Sequence, residues 1–224
     1  MSANITNTKK VTLLGMLAAI AYAVIFVCHF LIPPVAGFLT LDVKDTIIAI
    51  AGFIFGPLSA ALVGVVVAAV EMVTISATGP IGLIMNILSS CCFACVAALI
   101  YKRKHTLKGA IMGLIVGCLS ATAVMLLWNF LITPIYMGVP RATVAAMLVP
   151  VFLPFNLGKY ILNAALTMLI YKPIVTALRK ANLLAPSSSD AAPVQKKQHL
   201  GTILVSLLIL ITCILGFLVW QGVL

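Results

Sequence analysis

The amino-acid sequence predicts an all-α integral membrane protein: a six-helix bundle followed by a seventh, C-terminal transmembrane helix. Three observations carry this prediction. First, 63 % of the 224 residues are apolar and only 8 % are charged. Soluble domains carry about 25 % charged residues, so these charges are too few to cover a water-soluble globule, and disorder, which needs low hydrophobicity and high charge, is excluded as well. Second, the apolar residues form long runs divided by Pro, Gly and basic clusters. At about 20 residues per span, the chain has room for six or seven crossings and little else. Third, the 14 Lys and Arg residues against 4 acids cluster at alternate ends of those runs, the pattern of a membrane protein with basic cytoplasmic loops.

Each span follows from its punctuation. The first runs from Val11 to Ile32, after Lys9-Lys10, is too long for a signal-peptide core, and stops at Pro33-Pro34. The second, Thr46 to Phe55, ends at Gly56-Pro57, which turns it tightly into the third, Leu58 to Ala77. After Thr78-Gly79-Pro80 the fourth spans Ile81 to Tyr101 and ends in Lys102-Arg103-Lys104-His105. The fifth covers Gly109 to about Thr133, before Pro134. A loop with Gly138, Pro140 and Arg141 follows, and the stretch Ala142 to Phe155 is interrupted by Pro150 and Pro154. Pro is accepted at a first helical position, so the sixth span is read from Pro154 to Leu178. Residues 1–183 thus form one six-helix membrane domain, 184–199 a Pro/Ser/Ala-rich cytoplasmic linker, and 200–224 the additional helix.

With the N-terminus inside, Lys9, Lys10, Lys102, Arg103, Lys104, Lys108, Lys172, Arg179, Lys180, Lys196 and Lys197 are all cytoplasmic. The outer loops then hold Lys44, Arg141, Asp42 and Asp45, and the C-terminus lies outside. This is a multi-pass membrane protein, and its excess of positive charge serves orientation in the bilayer, not nucleic acid. The cysteines all sit in apolar runs. Cys91, Cys92 and Cys95 lack further ligands for a metal and read as small apolar helix residues. There is no G-x-x-x-x-G-K-[ST] phosphate loop, H-E-x-x-H or G-x-S-x-G motif, so neither ATP hydrolysis by this chain nor a known hydrolase chemistry is indicated.

A charge inside a span costs about 2.5–3.5 kcal/mol on insertion scales, so the polar residues within spans call for a reason. Glu71, in the third span, and Lys159, in the sixth, fall at similar depth and are geometrically able to pair. Lys159 alternatively snorkels to the interface, and Glu71 alternatively is a structural acid. Asn156, Lys159, Asn163 and Thr167 line one face of the sixth helix, as bundle glue or as a ligand wall. Asn86, Asn129, Asn156, Lys159 and Thr78-Gly79 converge on the outer third of the bundle, as a pocket open to the outside requires. Gly15, Ala19 and Ala23 form a small-residue face on the first helix, suited to packing within the chain or to docking another membrane protein.

Several local patterns occur together: Phe38-Leu39-Thr40-Leu41-Asp42 before the second helix, Phe55-Gly56-Pro57, Thr78-Gly79, Met85-Asn86, Lys108-Gly109-Ala110, Trp128-Asn129-Phe130, and Leu153-Pro154-Phe155-Asn156 with Lys159. From about Lys9 to Leu183 the chain resembles the substrate-binding S-components of energy-coupling-factor vitamin transporters, most closely the riboflavin-specific ones. The resemblance implies a six-helix S-component bundle with one vitamin held near the outer face, and a transmembrane coupling subunit with two cytoplasmic ATPases that supply the energy. It implies no enzyme activity and no cofactor, riboflavin being the transported ligand. It assigns ligand contacts to Asn129, Asn156 and Lys159, a cover to the loops around Phe38 and Thr78-Gly79, and docking of the coupling subunit to Gly15, Ala19 and Ala23. A different vitamin or precursor on the same architecture, or a structural membrane protein without a small ligand, are the competing readings. The seventh helix lies outside the resemblance.

Overall fold

The structure is a computed structural model that describes residues 7–35, 39–181, 183 and 196–220. Its helices are α1 (Asn7–Leu31), α2 (Lys44–Phe55), α3 (Pro57–Thr74), α4 (Gly79–Ser90), α5 (Val96–Arg103), α6 (Leu107–Met137), α7 (Arg141–Met147), α8 (Leu153–Lys180) and α9 (Lys196–Trp220). Two π-helical turns, Cys91–Cys95 and Leu148–Phe152, join α4 to α5 and α7 to α8 without a break. The stretches Asn7–Leu31, Pro57–Thr74, Gly79–Arg103, Leu107–Met137 and Arg141–Leu178 are each long and apolar enough to cross a membrane.

The centre of the bundle is α2. Every residue from Lys44 to Phe53 is buried, and α2 packs on α1, α3, α5 and α8. A helix that is apolar all round belongs inside a bundle, and Ile48, Ala49, Ile50 and Ala51 are fully enclosed. With 12 residues, α2 reaches only about 18 Å, well short of a hydrocarbon core of about 30 Å. The second predicted span is therefore a core helix that starts at membrane depth, beside Glu71 near the end of α3. Around this core, α1, α3, α6 and α9 present bare apolar faces, including Phe30, Leu58, Val73, Leu119 and Leu208. In water such faces would be an aggregation liability; in a bilayer they are the lipid contact.

The turns follow sequence chemistry. Gly56, with φ +95°, makes the α2–α3 turn, and Pro57 takes the first position of α3. Thr106 caps α6 by accepting the Gly109 N–H at 3.1 Å. The fifth predicted span was to stop before Pro134, but α6 carries Pro134 inside and ends one turn later at Gly138, whose φ is +66°. Proline is tolerated within membrane helices because neighbouring groups satisfy the freed carbonyl. A short connection at Gly138–Pro140 is present, but the stretch Ala142–Phe155, expected to be interrupted by Pro150 and Pro154, is continuous helix: α7, a π turn that accommodates Pro150, and the start of α8. Of the expected linker, residues 184–195 lie outside the described residues, and α9 begins at Lys196.

Helix α6 approaches α5 and the π turn before it closely. A Cβ on Gly113 would stand 2.6 Å from the Ala97 carbonyl oxygen, and one on Gly117 2.5 Å from that of Phe93. Gly117→Val should therefore lower unfolding stability by about 1–3 kcal/mol, measured by chemical or thermal unfolding in detergent. Gly15→Val, where a Cβ meets nothing within 4 Å, should leave it unchanged.

Candidate functional site

A cavity of about 300 Å³ opens at the end of the bundle opposite the basic cluster Lys102-Arg103-Lys104. Its walls come from α1 (Ile25, His29), the segment Leu39–Asp42, the end of α3 with Ile75–Thr78, α4 (Met85, Asn86), α6 (Met125, Asn129, Tyr136) and α8 (Phe155, Asn156, Lys159, Tyr160). The volume lies at the lower end of the range for small-molecule sites, about 300–1,000 Å³, and the mix of apolar wall with a few convergent polar groups is the usual composition.

Of the residues picked out from sequence, Glu71, Thr78, Asn86, Asn129, Asn156 and Lys159 line this cavity. Gly79 does not; it starts α4 with φ +54°, next to the wall. Phe38 lies outside the described residues. Asn129 donates to the Met125 carbonyl at 2.8 Å and accepts from Thr133 at 2.9 Å. Asn156 donates to the Phe152 carbonyl at 2.8 Å. A carboxamide has two N–H groups and an oxygen with two lone pairs, so these bonds orient both side chains while leaving each a donor and acceptor capacity for a ligand.

The expected Glu71–Lys159 pair does not form. Glu71 instead accepts from Lys44 at 2.6 Å and from the Asn86 amide at 2.8 Å. Lys159 is paired with Asp42 at 2.7 Å and is 7 % exposed, so it does not snorkel to the interface. Asp42, Lys44 and Asp45, assigned from sequence to an outer loop, are all buried. Three of the chain's four acids therefore sit in one cluster, the fourth, Asp190, being outside the described residues. A charge under lipid is retained when it is paired and hydrogen-bonded, and the nearest opposite charges are those of the segment that folds back into the bundle. That segment's depth is a tertiary fact. The signal available in sequence was the spacing Asp42-x-Lys44-Asp45 directly before an apolar helix.

The lower part of the α8 stripe is glue. Asn163, fully buried, donates to the Asp42 and Lys159 carbonyls at 3.0 and 2.9 Å. Its oxygen accepts from the Thr46 backbone N–H at 2.8 Å and from the Thr46 hydroxyl at 3.0 Å. Val43, at the N-cap of α2, has no side chain able to cap, so Asn163 satisfies from another helix an N–H that a capping residue ordinarily takes. Thr167 bonds back to the Asn163 carbonyl at 2.7 Å. Asp45 accepts from Ser90, and Tyr160, stacked on Phe93 at 5.4 Å, closes the floor beside Lys159. Sequence reasoning missed Asp42 and Tyr160 as wall residues.

On α1, Leu13, Leu17 and Ala21 turn inward, while Gly15, Ala19 and Ala23 are exposed. Among the described residues, the small-residue face is left exposed by this chain's own helices. The ion pairs make a thermodynamic prediction. Lys44→Met strands Glu71 and should cost about 3 kcal/mol. Lys44→Met combined with Glu71→Leu should recover to within about 1 kcal/mol of the parent, as measured by a double-mutant unfolding cycle.

The model of the family described as ECF transporter, substrate-specific component, matches residues 9–171. The chain is 31 % identical over 186 residues to the riboflavin transporter RibU of Staphylococcus aureus (strain TCH60), covering 79 % of this chain and 96 % of that protein. It is 28 % identical over 193 residues to the riboflavin transporter FmnP of Bacillus subtilis (strain 168), covering 79 % and 99 %. A solved S component of a bacterial ECF transporter superposes with a TM-score of 0.66 at 29 % identity, covering 78 % of this chain and 99 % of that one. Sequence and fold agree: the chain belongs to the substrate-specific components of ECF transporters, membrane-embedded transporter subunits and not enzymes.

Proposed function

We propose that this protein captures riboflavin from outside the cell and delivers it inward as the S-component of an ATP-driven importer. The observation that carries the reading is the cavity walled by Asn129, Asn156 and Lys159, in a chain whose relatives are named riboflavin transporters. The pyrimidine edge of the isoalloxazine ring alternates donors and acceptors. Carboxamides present both, and an ammonium donates to carbonyl oxygen. One of the three Lys159 N–H groups is held by Asp42, and two remain for the ligand. Because the charge is balanced by Asp42, a neutral ligand receives a charge-assisted bond without bringing a counter-ion. The ring's dimethylbenzene side suits Ile25, Leu39, Met85, Met125 and Phe155.

The distribution of basic residues supports an N-terminus in the cytoplasm, a pocket open to the outside and a C-terminus on the outer side of the cell membrane. The chain carries no phosphate-binding loop, so energy comes from two cytoplasmic ATPases through a transmembrane coupling subunit. The exposed face of Gly15, Ala19 and Ala23 is the proposed docking surface for that subunit, since small residues let helix backbones approach closely.

Purified protein should bind riboflavin, seen as flavin absorbance or as a rise in melting temperature with added vitamin. A preparation stabilised by another vitamin and not by riboflavin would overturn the substrate. Asn156→Ala, and Lys159→Ala combined with Asp42→Asn to avoid stranding a carboxylate, should each weaken binding about tenfold or more, read by flavin titration of folded protein. Ala19→Trp should abolish capture of the coupling subunit in a pull-down while leaving riboflavin affinity unchanged; persistent capture would place the interface elsewhere.

A further inference from the structure

The match to the family ends at residue 171, and α9 starts at Lys196. Most of α9 is exposed, as for a helix bathed in lipid, yet Phe217 near its end is only 8 % exposed. Its ring meets Phe155 edge to face, with centroids 6.0 Å apart at 84°. It also lies against Gly158, where even a Cβ would come within 3.1–3.2 Å of the ring. Phe217 shares a buried cluster with Val35, Leu41, Phe155 and Leu162, and Leu210 and Cys213 from the same helix extend it.

Two members of that cluster, Leu41 and Phe155, are cavity wall. Asp42, the partner of Lys159, follows Leu41 directly, Asn156 follows Phe155, and Lys159 follows Gly158. The ring thus packs on the turns of α8 that present Asn156 and Lys159, and it shares its cluster with Leu41, the residue before Asp42. Without it that surface would touch lipid tails, which do not hold a fixed shape. Between membrane helices there is no hydrophobic driving force, and specific packing of a large side chain onto a small residue is what fixes position.

We propose that Phe217 is a positioning residue of the riboflavin site: α9 acts as a brace that holds the Leu39–Asp42 segment and the first turns of α8 in the ligand-competent arrangement, and so slows ligand release. The proposal rests on the riboflavin reading above. The test uses the full chain in lipid nanodiscs. Phe217→Ala should speed riboflavin dissociation about tenfold with less than about a twofold change in association, followed by stopped-flow flavin fluorescence. Phe217→Leu, which keeps apolar bulk, should restore most of the slow release. Leu208→Ala, on the lipid face of the same helix, should behave as the parent. Should Phe217→Ala not fold, Leu210→Ala is expected to move dissociation in the same direction. Folded Phe217→Ala with parental dissociation, or an equal acceleration in Leu208→Ala, overturns the proposal. A parent protein that binds no riboflavin overturns the substrate reading instead. The brace is then judged by amide hydrogen exchange of residues 39–43, which reports local opening: faster exchange in Phe217→Ala upholds it, and unchanged exchange overturns it.

Discussion

Asn163 and the two ion pairs above it hold a non-helical stretch of chain inside a membrane bundle. Irregular backbone at that depth survives only where protein groups satisfy it or water fills a cavity beside it. Here Asn163 bonds the Asp42 carbonyl and the start of α2, Lys159 bonds the Asp42 carboxylate, and Lys44 turns to Glu71. The consequence is a short central helix that begins below the surface and leaves space above it. The cavity opens beside that start, with Asp42 in its wall.

This arrangement also explains why the polar groups of the chain are so unevenly placed. A residue such as Lys159 cannot be left unpaired under lipid. Its partner has to come from a segment able to reach it, and that segment becomes part of the pocket wall. In the proposed site, structural neutralisation and ligand recognition use the same atoms: the ammonium that pairs with buried Asp42 is the one proposed to donate its remaining N–H groups to the ligand. The outer surface is the reverse case, with Leu58, Val73 and Leu208 bare toward lipid. Gly15, Ala19 and Ala23 are also bare, but small, and this is the face proposed to receive another helix.

The helix α9 adds to the family architecture at the point where that architecture is least regular. Phe217 fits a notch made by Gly158, meets the Phe155 ring, and belongs to the same buried cluster as Leu41. A helix outside the family match thereby touches the same elements that form the site.

The helices themselves were legible in the sequence, because their lengths, Pro and Gly punctuation and basic ends are local and one-dimensional signals. So was the convergence of Asn86, Asn129, Asn156 and Lys159, since direction and depth follow once the spans are counted. Boundaries failed where local rules yield to the bundle: Pro134 lies inside α6, and a π turn carries Pro150. Partners failed for the same reason. Glu71 and Lys159 share a depth, but depth does not specify azimuth, and Lys44 and Asp42 lie nearer once the segment before α2 folds inward. Composition and periodicity by themselves determined a membrane bundle with a polar pocket at one end. Which charges meet there, what α2 leaves open, and that α9 leans on the pocket were decided only by tertiary packing, because each depends on how separate helices rotate against one another.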